Sequence, residues 1–155
     1  MVRLRDLPDY ERDHLLSKNS PPLGPPAWVA PTKPLSAQRI ALVTTAGLHF
    51  RDDATFGLAD ASFRALPGEA DTAELVTSHS SVNFDRTGFQ DDVNVVFPLD
   101  RFRELERDGV IGSLADVHYS FMGAGLEPDA YEASVATVAA ALARDGVDSV
   151  FLTPV

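Results

Sequence analysis

The sequence predicts an α/β fold: a mostly parallel, Rossmann-like sheet with covering helices, preceded by a proline-rich N-terminal arm. Three observations support this prediction. Short apolar runs bounded by glycine or proline indicate strands, segments with apolar residues at helical spacing indicate helices, and the two kinds alternate through the second half of the chain. A chain of 155 residues, 45% of them hydrophobic, can bury a core of its own in one domain.

The N-terminal part is predicted to differ from the rest, because seven of the eleven prolines fall in the first 34 residues. We expect a short helix over residues 8–18 and then an extended segment, since proline removes backbone donors and prevents helix formation. This division gives an N-terminal arm over residues 1–36 and an α/β domain over 37–155. Trp28 is the candidate anchor of the arm, on the same chain or on a partner.

Three strands are predicted in the first half of the domain. The run from Arg39 to Gly47 is largely apolar, too short for a helix and closed by glycine, which indicates a buried strand. Residues 62–66 alternate weakly before a Pro-Gly turn, and residues 74–78 form a second core strand. The polar stretch 79–92 is predicted to be a long loop, and loops of that length are often functional.

The second half of the domain is predicted to alternate helices and strands. Leu99, Phe102 and Leu105 follow Pro98 at helical spacing, and proline is favoured in the first turn of a helix. The predicted elements are a helix from Pro98 to Gly109, a strand over 116–122, a helix over 129–144 and a strand over 147–152. This order favours a parallel sheet with right-handed crossovers.

Composition and charge exclude several classes of protein. The chain has 13 basic and 23 acidic residues, a formal net charge of −10, which repels nucleic acid and anionic lipid. It contains no run of the roughly 18 apolar residues that span a bilayer. It has no cysteine, so these 155 residues carry neither a disulfide nor a thiol nucleophile. The N-terminus lacks the apolar segment of an export signal, and we therefore expect a cytoplasmic protein.

Polar side chains cluster after the predicted strands, where ligands bind in open α/β sheets. We predict a small-molecule substrate at this edge. The candidates that follow the first two strands are Thr45, His49, His79, Ser80, Asn83, Asp85 and Arg86.

His118 lies inside an apolar strand and has two interpretations, a hydrogen-bonded core residue or a substrate contact. Metal binding by His49, His79 and His118 is an alternative, because imidazole is a common metal ligand. Their spacing matches no local metal motif, so no metal is predicted.

Several ordered motifs resemble one family. These are residues 41–49 (ALVTTAGLH), 78–79 (SH), 94–101 (NVVFPLDR), 111–115 (IGSLA), 118–123 (HYSFMG) and 145–155 (DGVDSVFLTPV). Together they resemble the selenoprotein B family of glycine, sarcosine, betaine and D-proline reductases, from about residue 38 to residue 155. Residues 124–134 and the proline-rich arm match this pattern poorly.

The resemblance implies a reductase component in which a selenocysteine or cysteine attacks an amine-bearing substrate and a dithiol supplies the electrons. It also implies protein partners, namely a dithiol donor and other reductase subunits. In the family the reactive residue follows a segment like 152–155, so we expect it at position 156 and expect the given chain to be truncated before it. His79 and His49 are then the expected catalytic residues. The expected substrate contacts are Thr45, Ser80, Asn83, Asp85, Arg86 and His118.

A non-catalytic α/β protein that binds a ligand or assembles subunits is the alternative to a reductase. Its scaffold is the same, but it would turn over no substrate. We also expect a homo-oligomer, because an apolar last strand that lacks a covering helix leaves part of the sheet exposed.

Overall fold

The computed structural model describes residues 3–17, 24–25, 29–81, 84 and 86–155, and these fall into two units, Met1–Ala30 and Pro31–Val155. The first unit contains a short helix, α1 (Asp9–Leu16), which has no buried residue. Trp28 and half of the predicted extended segment 19–34 lie outside the described residues, so the arm and its anchor stay predictions.

The second unit carries the α/β structure, and its helices and strands agree in order with most of those predicted. The strands are β1 (Arg39–Thr44), β2 (Leu48–Phe50), β3 (Phe63–Pro67), β4 (Leu75–Thr77), β5 (Ser113–Leu114), β6 (Val117–Phe121) and β7 (Ser149–Thr153). The helices are α2 (Thr87–Asp91), α3 (Leu99–Arg107) and α4 (Glu132–Arg144). β2 and β5 were not predicted, because two or three residues are too few to show a pattern. α2 was not predicted either, and it lies in the stretch 79–92 that was expected to be a loop throughout.

β1 is the central strand of the main sheet. On one side it pairs in parallel with β7, from Ile40 opposite Ser149 to Thr44 opposite Thr153. On the other side it pairs in parallel with β5 and then with β6. β6 in turn pairs with β3, and this pair is antiparallel.

The sheet is therefore mixed, which confirms the α/β class and corrects the prediction of a mostly parallel, Rossmann-like sheet. The physical reason lies between β2 and β3. A parallel neighbour needs a long crossover, usually a helix, and residues 51–62 contain no helix. β2 and β4 are likewise antiparallel, and they form a separate two-stranded sheet.

β5 and β6 are separated by a bulge on the side that faces β1. Arg39 lies opposite Ser113 and Val43 opposite Tyr119, so four steps along β1 correspond to six along its partner. The two extra residues lie between Leu114 and Tyr119. The backbone N–H of Leu42, on β1 beside this bulge, donates to His118 Nδ1 at 3.1 Å.

The core lies on both faces of β1. On one face Leu42 belongs to a cluster with Phe97, which precedes α3, and with Leu99 of α3. On the other face Val43 packs in a cluster with Val138 of α4. Both helices were predicted from their apolar spacing, and both are confirmed, α4 with a preceding 3-10 turn at Pro128–Tyr131. No helix in the described ranges is long and apolar enough to cross a membrane.

Candidate functional site

The carboxyl ends of four strands meet at one edge of the second unit. Backbone hydrogen bonds tie the loop after β1 to β6 and β4: Gly47 N–H donates to the carbonyl of Phe121 at 2.9 Å, and Ser78 N–H donates to that of Gly47 at 3.0 Å. Thr45 N–H donates to the carbonyl of Thr153 at 3.1 Å. We call residues 45–47, 78–81, 121–123 and 153–155 the carboxyl-end cluster. The predicted convergence of polar strand ends is thus present.

Two glycines allow these segments to touch. Gly47 has a φ of +63°, and a Cβ atom there would lie 2.9 Å from the backbone nitrogen of His79. Gly123 has a φ of +75°, and its Cβ would lie 2.5 Å from Cβ of Thr45. Real Cβ atoms do not approach so closely, and other residues rarely adopt this backbone conformation. Glycine at both positions is therefore what lets the cluster close.

The C-terminal segment is fixed in the cluster by Thr45. The backbone N–H of Val155 donates to Thr45 Oγ1 at 2.9 Å. Because Thr45 N–H also bonds to Thr153, one residue holds this segment through its backbone and its side chain. Thr45 was predicted as a substrate contact, and that role stays a prediction; in the structure its hydroxyl oxygen accepts a bond from the chain itself.

His79 lies in the cluster as a neutral imidazole. It is 4% exposed, and its Nδ1 accepts the backbone N–H of Ser81 at 3.1 Å, so the proton sits on Nε2. Burial, and then the positive charge of Arg86, lower the pKa of His79 below its usual value. Among the described residues Nε2 has no hydrogen-bond partner. Nε2 is also buried, so its N–H is a donor inside the cluster that no described residue uses, and as a neutral ring it cannot stabilise a thiolate or selenolate by charge.

His49 and its neighbour Leu48 point to opposite faces of the β2–β4 sheet. His49 Nδ1 donates to the carbonyl of Phe50 at 2.6 Å, and its ring meets Phe56 edge-on at 6.3 Å. Leu48, which points to the opposite face, packs in the cluster that contains Phe84, the ring partner of His79. The catalytic role expected of His49 stays a prediction.

His118 is a core residue. It is fully buried, its Nδ1 accepts the Leu42 N–H, and its ring meets Phe97 at 5.9 Å. Burial is the largest of the effects that lower its pKa to about 4. The structure thus favours the core interpretation over a substrate contact. Among the described residues no three His, Asp or Glu side chains group as metal ligands, so a three-histidine metal site finds no geometric support.

The remaining predicted residues fall in or beside the 79–86 loop. Ser80 Oγ donates to the sulfur of Met122 at 3.2 Å, which links the loop to the end of β6. Arg86 donates from Nη2 to the carbonyl of His79 at 2.5 Å. Asn83 and Asp85 lie outside the described residues, and their substrate contacts stay predictions.

A cavity of about 390 Å³ adjoins the cluster on the α4 side of the sheet. Its walls include Val43, Thr45, Phe121, Leu126, Tyr131 and Val135. Sequence reasoning missed it because apolar residues at strand and helix spacing indicate core. The available signal in the sequence was the pair of glycines in the loop after β6, Gly123 and Gly125, both of which have positive φ in the structure. The cavity that this loop borders is apolar.

Comparison with known proteins identifies relatives over most of the chain. The family model described as glycine/sarcosine/betaine reductase selenoprotein B matches residues 25–155. The match therefore begins within the proline-rich segment, ahead of the expected start near residue 38. No solved structure matches the chain.

Curated relatives are subunits of reductases. The chain is 39% identical to D-proline reductase subunit gamma of Acetoanaerobium sticklandii over 131 residues, which are 83% of this chain and 53% of that protein. It is 36% identical to glycine reductase complex component B subunit gamma of Symbiobacterium thermophilum over 129 residues, 79% of this chain and 30% of the relative. It is 31% identical to betaine reductase complex component B subunit beta of Peptoclostridium acidaminophilum over 134 residues, 80% and 29%. The chain thus spans about half the length of the first relative and less than a third of the others.

Proposed function

The chain belongs to the glycine/sarcosine/betaine reductase selenoprotein B family, and from this premise we propose that it is a component of a complex that reductively cleaves a C–N bond in a small amino acid or betaine-type substrate. In that reaction the C–N bond breaks, the carbon gains a hydrogen and the nitrogen leaves as an amine. A dithiol that is oxidised to a disulfide supplies the two electrons and two protons. The partners are then a dithiol-bearing protein and other reductase subunits.

The observation that carries the proposal is the fixed position of Val155 in the carboxyl-end cluster. Thr45 Oγ1 holds its backbone N–H at 2.9 Å, beside the ends of β1 and β6. We propose that the reactive selenocysteine or cysteine occupies the position after Val155. A residue there would be held against the ends of buried strands, where ligands of α/β proteins bind.

Among the predicted site residues, His79 has a proposed role in binding. His79, through Nε2–H, is proposed to donate a hydrogen bond to the substrate or to the reacting chalcogen, and Ser80 and Arg86 border the same loop. Because His79 is neutral, we propose that it orients a partner atom rather than ionising it. Asn83, Asp85 and His49 stay candidate site residues.

The experiment is to sequence the coding DNA beyond the Val155 codon and to express any continuous polypeptide in selenium-supplemented cells. The protein, purified together with the subunits that bind to it in those cells, is assayed for consumption of D-proline, glycine, sarcosine and betaine with a dithiol as reductant. We expect consumption of one of them, and its loss when the residue after Val155 is changed to alanine. The His79→Asn variant keeps an acceptor for the Ser81 N–H, so a fall in turnover without loss of folding would support its role. A stop codon without a continuing frame would contradict the proposal, and so would turnover that survives the alanine variant.

A non-catalytic role in subunit assembly is the second candidate, and one observation favours it. Phe151 and Leu152 of the edge strand β7 are 43% and 67% exposed. Exposed apolar residues on an edge strand favour association with another polypeptide. Specific association of subunits in a protein that turns over none of the four amines would support this candidate instead.

A further inference from the structure

The apolar cavity beside the carboxyl-end cluster has the position of a ligand site. It lies between the ends of β1 and β6 and the start of α4, and it shares Thr45 and Gly123 with the cluster. Ligand pockets in α/β proteins occupy this position, and about 390 Å³ is within their usual range of volumes. A small molecule seated there would touch the cluster at Thr45.

The walls of the cavity determine the shape of ligand that it can hold. Val43, Leu126 and Val135 supply aliphatic surface, and Phe121 and Tyr131 supply two rings in edge-to-face contact, 6.0 Å apart. Thr45 is the one wall residue with an aliphatic hydroxyl. Such walls favour a compact hydrocarbon body and offer little to a ligand that is polar all round.

The charges around the cavity determine the sign of the ligand. No lysine or arginine is among the wall residues in the part of the chain that the structure describes. Two acidic residues, Asp129 and Glu132, lie in the first turns of the helical segment that carries the wall residue Tyr131. Burial, and then the negative charge of Asp60, raise the pKa of Tyr131. Carboxylates and aromatic faces both attract a cation and repel an anion.

We propose that this cavity binds the alkylated ammonium group of the substrate, so that the protein selects amines whose nitrogen carries hydrocarbon, in a ring or as methyl groups, over the bare ammonium of glycine. This inference rests on the proposed function, because it assigns the substrate class of the same site. The cation provides the electrostatic attraction, and the hydrocarbon fills the apolar walls.

Binding to this chain, measured by titration calorimetry, tests the proposal without any redox chemistry. The probes are betaine, D-proline, glycine and 3,3-dimethylbutyrate, which has the shape of betaine with carbon in place of the charged nitrogen. We expect betaine or D-proline to bind about tenfold or more tightly than both glycine and 3,3-dimethylbutyrate. Equal binding of glycine, equal binding of 3,3-dimethylbutyrate, which lacks the ammonium charge, or binding of none of the probes would overturn the proposal.

Matched variants locate the binding. Val135 is 51% exposed at the cavity wall, so Val135→Arg is compatible with folding and places a positive charge there. It is expected to weaken binding of the preferred probe about tenfold, whereas Val135→Glu leaves or strengthens it. Val110→Arg, at an exposed valine in a different cavity, controls for added charge and should have no effect. Equal effects of Val135→Arg and Val110→Arg would place the ligand elsewhere.

The two proposals fail in different ways. If the continuous polypeptide reduces none of the amines while the preferred probe still binds and Val135→Arg still weakens it, the reductase proposal fails and the cavity stands. If the polypeptide does reduce an amine but its KM is unchanged by Val135→Arg, the cavity proposal fails and the reductase stands.

Discussion

Acidification should destabilise the fold through His118. The ring is fully buried, Nδ1 accepts the N–H of Leu42, and its pKa is lowered to about 4 from an ordinary 6.5. Between pH 6.5 and about pH 4, His118 binds a proton in the unfolded chain but stays neutral in the folded chain. The stability associated with the neutral ring is therefore complete above pH 6.5 and is lost as the pH falls toward 4.

The magnitude follows from the shift in pKa. A fall from 6.5 to about 4 corresponds to about 3 kcal/mol of unfolding free energy, because each pKa unit is worth about 1.4 kcal/mol. The usual stability of a domain is about 5 to 15 kcal/mol, so this one group removes a large share of it. The carboxylates of Asp100 and Asp145, whose pKa values are lowered, act mainly below pH 4.

The assay is urea unfolding, followed by far-ultraviolet circular dichroism, at intervals from pH 7.5 to 4.0. The comparison is with His118→Asn, whose Oδ1 can accept the Leu42 N–H and does not titrate. The variant starts less stable, because it leaves a cavity, but its free energy should fall about 3 kcal/mol less than that of the wild type over this range. His14→Asn, on the exposed helix α1, controls for the loss of a histidine as such. Parallel pH profiles of the wild type and His118→Asn would refute the reasoning.

Three further predictions concern stability and assembly. Gly123→Ala should lower the unfolding free energy, measured with urea, by about 2 to 4 kcal/mol, because it adds both a steric clash and backbone strain. Gly146→Ala, at a φ of +69° with open space around it, should lower it by about 1 kcal/mol. Equal losses of stability would mean that the contact with Thr45 is unimportant. Arg39→Lys should lower the unfolding free energy by about 1 to 2 kcal/mol. The variant loses the guanidinium that joins Asp116 at 2.7 Å and Asp145 at 2.6 Å, which lie on separate segments. Full stability of the variant would show that these ion pairs do not stabilise the fold. Leu152→Lys, at an exposed edge position, should shift sedimentation toward the monomer, and an unchanged profile would remove β7 from any interface.

The elements that sequence predicted well are those with a strong local pattern. The spacing of Leu99, Phe102 and Leu105 identified α3, and short apolar runs identified β1 and β7. The direction of β3 is not a local property. It depends on whether a helical crossover lies between β2 and β3, and the residues there show no pattern that decides this.

The sequence predicted which residues lie at the site when they directly follow a strand. It could not predict this for residues inside a strand, because their direction depends on how that strand pairs with others. Thr45, His79 and Ser80 follow strands and do reach the carboxyl-end cluster. His49 and His118 lie within strands, so the face to which each ring points depends on pairing with distant segments. The tautomers of the histidines were likewise beyond the sequence, because each is set by a backbone group that folding places beside Nδ1.

The position of β1 in the sheet has a consequence for how the chain folds. β1 is the earliest strand of the main sheet, and every strand that flanks it follows 70 or more residues later in the chain. Contacts so distant in sequence are slow to form, because a long loop must close first. During synthesis the sheet therefore cannot be completed before β7 has been made. Until then the nascent chain exposes the side of β1 that pairs with β7. Chaperone dependence in cells, and refolding slower than in helical proteins of similar size, are the expected results.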